Sequence, residues 1–302
     1  MTSRSFLLFF AAAAALLAAP SALACSVCAC GAPLRDATGP AALESRLVVG
    51  VEAETLEVRA ASEEVPGARE TLRQSTLRLR VSARPSLRWA AFASVPLVRK
   101  ELRAAGIRLS DVTGVGDLEI GAQFAAWDRT SFSHRNVQTL SFTAGSSVPT
   151  GVADAEIDGV RLDAHSQPGT GAFGPFVGLN YRVAYDGWHL AAAVSGRTWT
   201  TGPGEFRYGS AAVWSLHAQV RLVDRFAFEL GLDGRHAAAD QEEGASVSHT
   251  GGTVVALAPG VFWNPAGQVW LEARAQVPVL EKLNGDQRTG PVFVAGMRFE
   301  VF

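Results

Sequence analysis

The sequence predicts an all-β chain, closed as a transmembrane antiparallel up-and-down β-barrel of about twelve strands of roughly ten residues each. Three observations predict it. First, apolar residues recur at every second position, and the pattern runs to the end of the chain. In Pro291 to Phe302, Phe293, Ala295, Met297, Phe299 and Val301 alternate with Val294, Gly296, Arg298 and Glu300, which puts the two sets on opposite faces of a strand. At an open sheet edge such a strand would pair with other chains; in a barrel it pairs with the first strand. Second, beyond the leader no stretch has the roughly eighteen unbroken apolar residues that a spanning helix needs, so a membrane-embedded form has to be a barrel. Third, the connections alternate between long and short, as loops and turns do at the two ends of a membrane barrel.

Residues 1–24 carry a basic Arg4, an apolar run from Phe6 to Ala19, and Pro20-Ser21-Ala22-Leu23-Ala24. This is a secretory signal with an A-x-A-like cleavage site and is excluded from the fold. About 280 residues remain, enough for one large all-β unit. They divide into a Cys-containing N-terminal segment, 25–42, and the barrel, 43–302. The formal net charge is -2 and the charges are scattered, which excludes a nucleic-acid partner, since that would need a basic face.

The strands follow in order. The first sets Leu47, Val49, Val51 and Ala53 against Gly50, Glu52 and Glu54, and Thr55 to Thr71 reads as a polar loop. The second sets Leu77, Leu79, Val81 and Ala83 against Arg78, Arg80 and Arg84. After a turn at Pro85-Ser86, the third has Leu87, Trp89, Ala91, Ala93 and Val95 outward and Arg88 inward. Pro96 to Thr113 reads as a long connection. The fourth strand carries Leu118, Ile120, Ala122 and Phe124, the fifth Leu140, Phe142 and Ala144, and the longest connection, Val148 to Gly171, follows. Val177, Leu179, Tyr181 and Val183 mark the sixth, Asp186-Gly187 is a hairpin signal, and Leu190, Ala192 and Val194 mark the seventh. Beyond the loop Thr200 to Gly209 come the eighth strand, with Trp214, Leu216, Ala218 and Val220, and the ninth, with Phe226, Phe228, Leu230 and Leu232. The tenth runs from about Thr253 to Trp263, although Pro259 cannot donate to a ladder. Val269, Leu271, Ala273, Ala275 and Val277 form the eleventh, and Pro278 to Thr289 leads to the closing strand.

If the apolar sets face lipid, the residues between them line the lumen: Glu52, Glu54, Arg78, Arg80, Arg84, Arg88, Glu119, Arg182, Arg197, Arg221, Glu229, Asp233, Arg235, Glu272, Arg274, Arg298 and Glu300. Lipid would not hold them, because Arg or Lys costs about 2–4 kcal/mol at the bilayer midplane. Glu52 and Glu54 lie on the strand next to Arg78 and Arg80, so cross-strand pairing is expected. The interior is then either a charged pore or a barrel plugged by its own ion pairs.

All three cysteines stand directly after the cleavage site, as Cys25-x-x-Cys28-x-Cys30. Three readings are open: a soft metal held by thiolates, a short disulfide in the oxidising periplasm, or lipidation of Cys25. No other cofactor is implied. Catalysis on the lipid face would need a Ser and a His there, but the strand histidines His189 and His217 fall on the inward set, so the chain does not read as an enzyme.

Gly296-x-x-Phe299-x-Val301 with a final aromatic, Phe302, resembles the C-terminal signal by which bacterial outer-membrane barrels are recognised by the assembly machinery. Four strings, in order, carry a wider resemblance: Thr113-Gly114-Val115-Gly116-Asp117-Leu118-Glu119-Ile120-Gly121-Ala122, Ser147-Val148-Pro149-Thr150-Gly151, Gln167-Pro168-Gly169-Thr170-Gly171, and Val277-Pro278-Val279-Leu280 with Asn284-Gly285. They resemble the outer-membrane transporter-like family labelled "meta-pathway of phenol degradation". The resemblance implies an outer-membrane barrel of this size, suspected of passing small hydrophobic or aromatic compounds, with no catalytic set to carry over. The expectation is a barrel with both termini periplasmic and outer-membrane lipid around it. A small solute would diffuse past charged lumen residues, gated by the long connections Pro96–Thr113 and Val148–Gly171. The alternative is a non-transporting scaffold that docks a periplasmic redox or metal-carrying partner through Cys25–Cys30.

Overall fold

The computed structural model describes residues 46–61, 69–131, 136–285 and 287–301. Twelve long strands close into an antiparallel barrel. They are β1 (Leu47–Ala61), β2 (Arg69–Ala83), β3 (Trp89–Ala104), β4 in two runs (Ile107–Val115 and Leu118–Ser131), β5 (Asn136–Val148) and β6 (Gly174–Tyr185). The remainder are β7 (Trp188–Arg197), β8 (Ala211–Val223), β9 (Phe226–Ala237), β10 (Gly252–Ala266), β11 (Val269–Leu283) and β12 (Val292–Val301). Each pairs with its sequence neighbours, and β12 returns to β1 in a continuous register from Leu47↔Val301 to Thr55↔Phe293. The apolar last strand therefore has a partner on both sides, and no edge is left open.

The two faces of the wall differ as the alternation requires. Leu77, Leu79, Phe142, Leu230 and Phe299 are 43–53% exposed on the outside, whereas Ser94, Thr143, Glu229 and Asp233 are at most 3% exposed within. Water would penalise that outer face; hydrocarbon does not. Outward aromatic pairs mark the end of the barrel with the short turns: Tyr185–Trp188 with centroids 4.0 Å apart, Trp89–Phe124 at 4.8 Å and Phe226–Trp263 at 5.9 Å. Rings with an apolar body suit the boundary between hydrocarbon and head groups.

Several strands outrun their sequence signal. Pro96 to Thr113 is not a loop but the tip of a hairpin, with β3 and β4 joined by Ala105 and Gly106 alone, both at positive φ (48° and 83°), as a two-residue primed turn demands. β1 and β2 likewise run on through much of the stretch expected as a loop. Beyond the apolar belt the outward row Glu57, Arg73, Glu101 and Asp111 is charged, so the apolar alternation stops while the hydrogen-bond ladder continues. Pro259 does not interrupt β10: its side chain belongs to the outer set, and the register to β11 is the same on either side of it, Leu257↔Val277 and Gly260↔Arg274.

Candidate functional site

Three of the connections at the barrel end opposite the short turns, 149–173, 198–210 and 238–251, fold together as a lid. Ala172, Trp199, Phe206 and Tyr208 form a small buried core; the Phe206 and Tyr208 rings meet edge-on at 5.0 Å. The Tyr208 hydroxyl donates to the Ala164 carbonyl at 2.8 Å, and the Asp240 carboxylate accepts from Gly209 N–H at 2.6 Å. A three-stranded patch, Phe206–Arg207 with Gln241–Glu242 and Ala245–Ser246, ties the second and third connections together. The buried Gln167 side chain fixes the first from within, bonding the backbone of Ala155 and Leu162.

One carboxylate fastens this lid to the wall. Asp117 sits between the two runs of β4. It accepts hydrogen bonds from Gly151 N–H (2.9 Å), Thr170 N–H (2.7 Å) and the Thr170 hydroxyl (2.5 Å). The Thr150 hydroxyl returns the contact by accepting from Leu118 N–H at 2.9 Å. Glycine makes the approach possible: a Cβ on Gly151 would lie 2.6 Å from the carbonyl carbon of Gly116, and one on Gly169 would lie 2.8 Å from Gly151. Three of the glycine-bearing strings in the sequence thus converge on one knot. Lys100, 2% exposed on the inner face of β3, adds a second tie through Nζ to the His165 carbonyl at 2.7 Å.

Below the lid, a cavity of about 70 Å³ is lined by Thr76, Arg78, Arg80, Pro96, Val98, Lys100, Glu119 and Pro168, among others. It has room for several waters, well short of the several hundred Å³ of a common solute site. Arg78 meets Glu52 at 2.8 Å and Glu54 at 3.8 Å, and Glu52 stands directly opposite it in the ladder. Arg197 meets Glu119 at 2.6 Å and lies 4.6 Å over the Phe176 ring.

A second network lines the lumen along β8 to β12. His217 lies between two almost fully buried carboxylates, with Nε2 2.7 Å from Asp233 and Nδ1 3.1 Å from Glu229. Gln276 donates to the other Asp233 oxygen at 2.7 Å. Arg274 bonds Glu272 at 2.7 Å and stands 3.9 Å from Glu229, and Arg298 meets Glu300 at 3.0 Å. Both guanidinium groups lie over the fully buried Phe262 ring, at 5.4 and 5.9 Å. Charges this deep persist because each is met by a counter-charge or hydrogen bond.

Most of the predicted lumen residues take inward positions; Arg182 and Arg235 are half-buried on the inner face of β6 and β9. Three are displaced. Arg84 and Arg88 belong to the turn between β2 and β3, where Arg84 donates to the Leu87 carbonyl at 2.6 Å. Arg221 is exposed at the irregularity ending β8. At these positions the strand is giving way to a turn, and its parity no longer fixes a face. On β12, Phe299 and Val301 point outward, while Gly296 faces Glu272, whose Oε1 would lie 2.8 Å from an added Cβ. Phe302, the cysteines Cys25, Cys28 and Cys30, and the leader fall outside the described residues. Lys100 was hidden from sequence reading by its assignment to a connection. Asp117, Gln167 and Thr170 carry no signal except the glycine strings around them.

No family model matches the sequence, and no curated protein sequence matches it. Among solved structures, the chain is similar to an outer-membrane channel from Pseudomonas putida F1, with a TM-score of 0.63 and 13% identity over 84% of this chain and 95% of that one. It is also similar to the translocator domain of the autotransporter NalP from Neisseria meningitidis (TM-score 0.47, 10% identity, 88% and 90% covered). A third likeness is to a toluene transporter from Ralstonia pickettii (TM-score 0.40, 10% identity, 87% and 94% covered). The first of these shows a shared barrel fold.

Proposed function

We propose that the chain is an outer-membrane channel for small solutes, with the lid as its gate. One observation carries the reading: a wall that is apolar outside and charged inside encloses a lumen, and loops fastened at Asp117 pack over its mouth. The short turns and both chain ends then face the periplasm, with the lid outward, the arrangement usual for such barrels. Outer-membrane lipid surrounds the wall, and barrel-assembly machinery reads β12. The solute class is a small molecule with an apolar or aromatic body and an anionic group. Support comes from the cavity lining, where Arg78, Arg80 and Lys100 stand beside Pro96, Val98 and Pro168. With the lid down the cavity is too small for such a solute, so passage requires the lid to move.

Liposome swelling and single-channel recording on the purified full chain test this. Brief openings in planar bilayers, together with uptake of small aromatic acids, are expected. A protein that stays folded in the bilayer and shows neither conductance nor flux would refute the reading.

A further inference from the structure

The outward face of β1 to β4 changes character above the lipid belt. Register places Ala53, Leu77, Leu97 and Val115 in one apolar cross-strand row. Two rows higher, Glu57, Arg73, Glu101 and Asp111 stand side by side, and above them come Arg59, Thr71, Arg103 and Arg108. Arg288 extends this last row, directly opposite Arg59. Five strand segments at about 4.8 Å spacing make the row about 19 Å long.

Among the described residues the acids of these rows are shared between arginines and are outnumbered by them. Glu57 is shared by Arg59 (2.6 Å) and Arg73 (2.8 Å). Glu101 is shared by Arg103 (2.6 Å) and Arg108 (3.2 Å), and Asp111 by Arg99 (2.8 Å) and Arg108 (3.1 Å). Arg288 is 3.9 Å from Glu281. The row also sets Arg59 against Arg288 and Arg103 against Arg108. Like charges directly opposite each other in a ladder destabilise it, and a polyanion laid across the row would relieve both repulsions at once.

We propose that this face binds the phosphorylated head group of lipopolysaccharide in the outer leaflet. The lipid A phosphates meet the arginine row, and the acyl chains run along Leu77, Leu97 and Val115 below. Guanidinium forks match phosphate oxygens in geometry and charge. A zwitterionic phospholipid offers no second phosphate to span the row. The proposal rests on the reading that the lid end faces outward.

The test is native mass spectrometry of the full chain in detergent, with bisphosphorylated lipid A, its monophosphorylated form and phosphatidylethanolamine as probes. Bound lipid is expected to fall in that order. The triple variant Arg59→Gln, Arg103→Gln, Arg108→Gln should bind bisphosphorylated lipid A about tenfold less, since several exposed charge contacts are lost together. Its liposome flux should match the wild type because the row lies outside the lumen. Arg288→Gln alone, which leaves the hairpin pairs intact, should weaken binding a few-fold. Equal adducts for all three lipids, or undiminished binding by a folded triple variant, would overturn the proposal while leaving the channel reading untouched. Orientation has its own readout: Ile107→Cys, at the hairpin tip where the native side chain is 68% exposed, should react with a membrane-impermeant maleimide on intact cells. Reaction only after the outer membrane is opened would remove the outward orientation and this proposal with it.

Discussion

Asp117→Asn is the sharpest perturbation of the gate. The native carboxylate is 8% exposed and accepts three hydrogen bonds from the lid. The amide keeps one acceptor oxygen but turns a donor toward the Thr170 N–H. Hydrogen bonds to a charged group contribute about 1.5–3 kcal/mol each, and an unmatched buried donor adds its own penalty. A loss of about 2–3 kcal/mol from the closed state follows, because the open lid exposes Asn and Asp alike to water. At about 1.4 kcal/mol per factor of ten, the open-to-closed ratio should rise roughly 30- to 150-fold. Asp117 lies between the two runs of β4 rather than in either, so the barrel ladder is left whole. Single-channel recording in planar bilayers reads the ratio directly. Thr170→Val should act in the same direction, and adding it to Asp117→Asn should change little more, as for two partners in one contact. If Asp117→Asn opens no more often than wild type while still migrating as a folded barrel, the lid is not held by this carboxylate.

Three further outcomes follow from the wall and the buried network. Phe142→Arg puts a cation on the lipid face near the middle of β5, where the native ring is 53% exposed; it should cost about 2–4 kcal/mol in reversible bilayer folding, measured by denaturant titration in vesicles. His217→Leu removes the cation shared by Glu229 and Asp233, both 1% exposed, and should destabilise the folded barrel by about 3–5 kcal/mol; an unchanged urea midpoint would show that Gln276 and Arg274 suffice for the two carboxylates. Arg78→Gln leaves Glu52 and Glu54 without their shared cation, so the reversal potential of the open channel under a salt gradient should shift toward cation selectivity.

Reading the chain by parity located all twelve strands, and it placed Glu52 beside Arg78, His217 inside and Phe142 outside, because a side chain's face is a local property of a strand. The same rule failed where its cause failed. Above the lipid belt, rows such as Glu57, Arg73, Glu101 and Asp111 are charged on the outer face, so β1 to β4 extend past the point where the sequence stops alternating. The glycine strings around Asp117, Gly151 and Gly169 could be seen but not explained, since nothing local says that a backbone must approach within contact distance of another loop.

The amino-acid sequence alone determined a two-faced wall long enough to close and a last strand that had to meet the first, since apolar spacing and the need to pair every backbone amide act residue by residue. Tertiary structure decided what fills the lumen. Whether Glu229 meets His217, whether Asp117 finds Thr170 53 residues away, and whether the mouth stands open depend on register and loop packing. These are fixed only when distant segments share the same space.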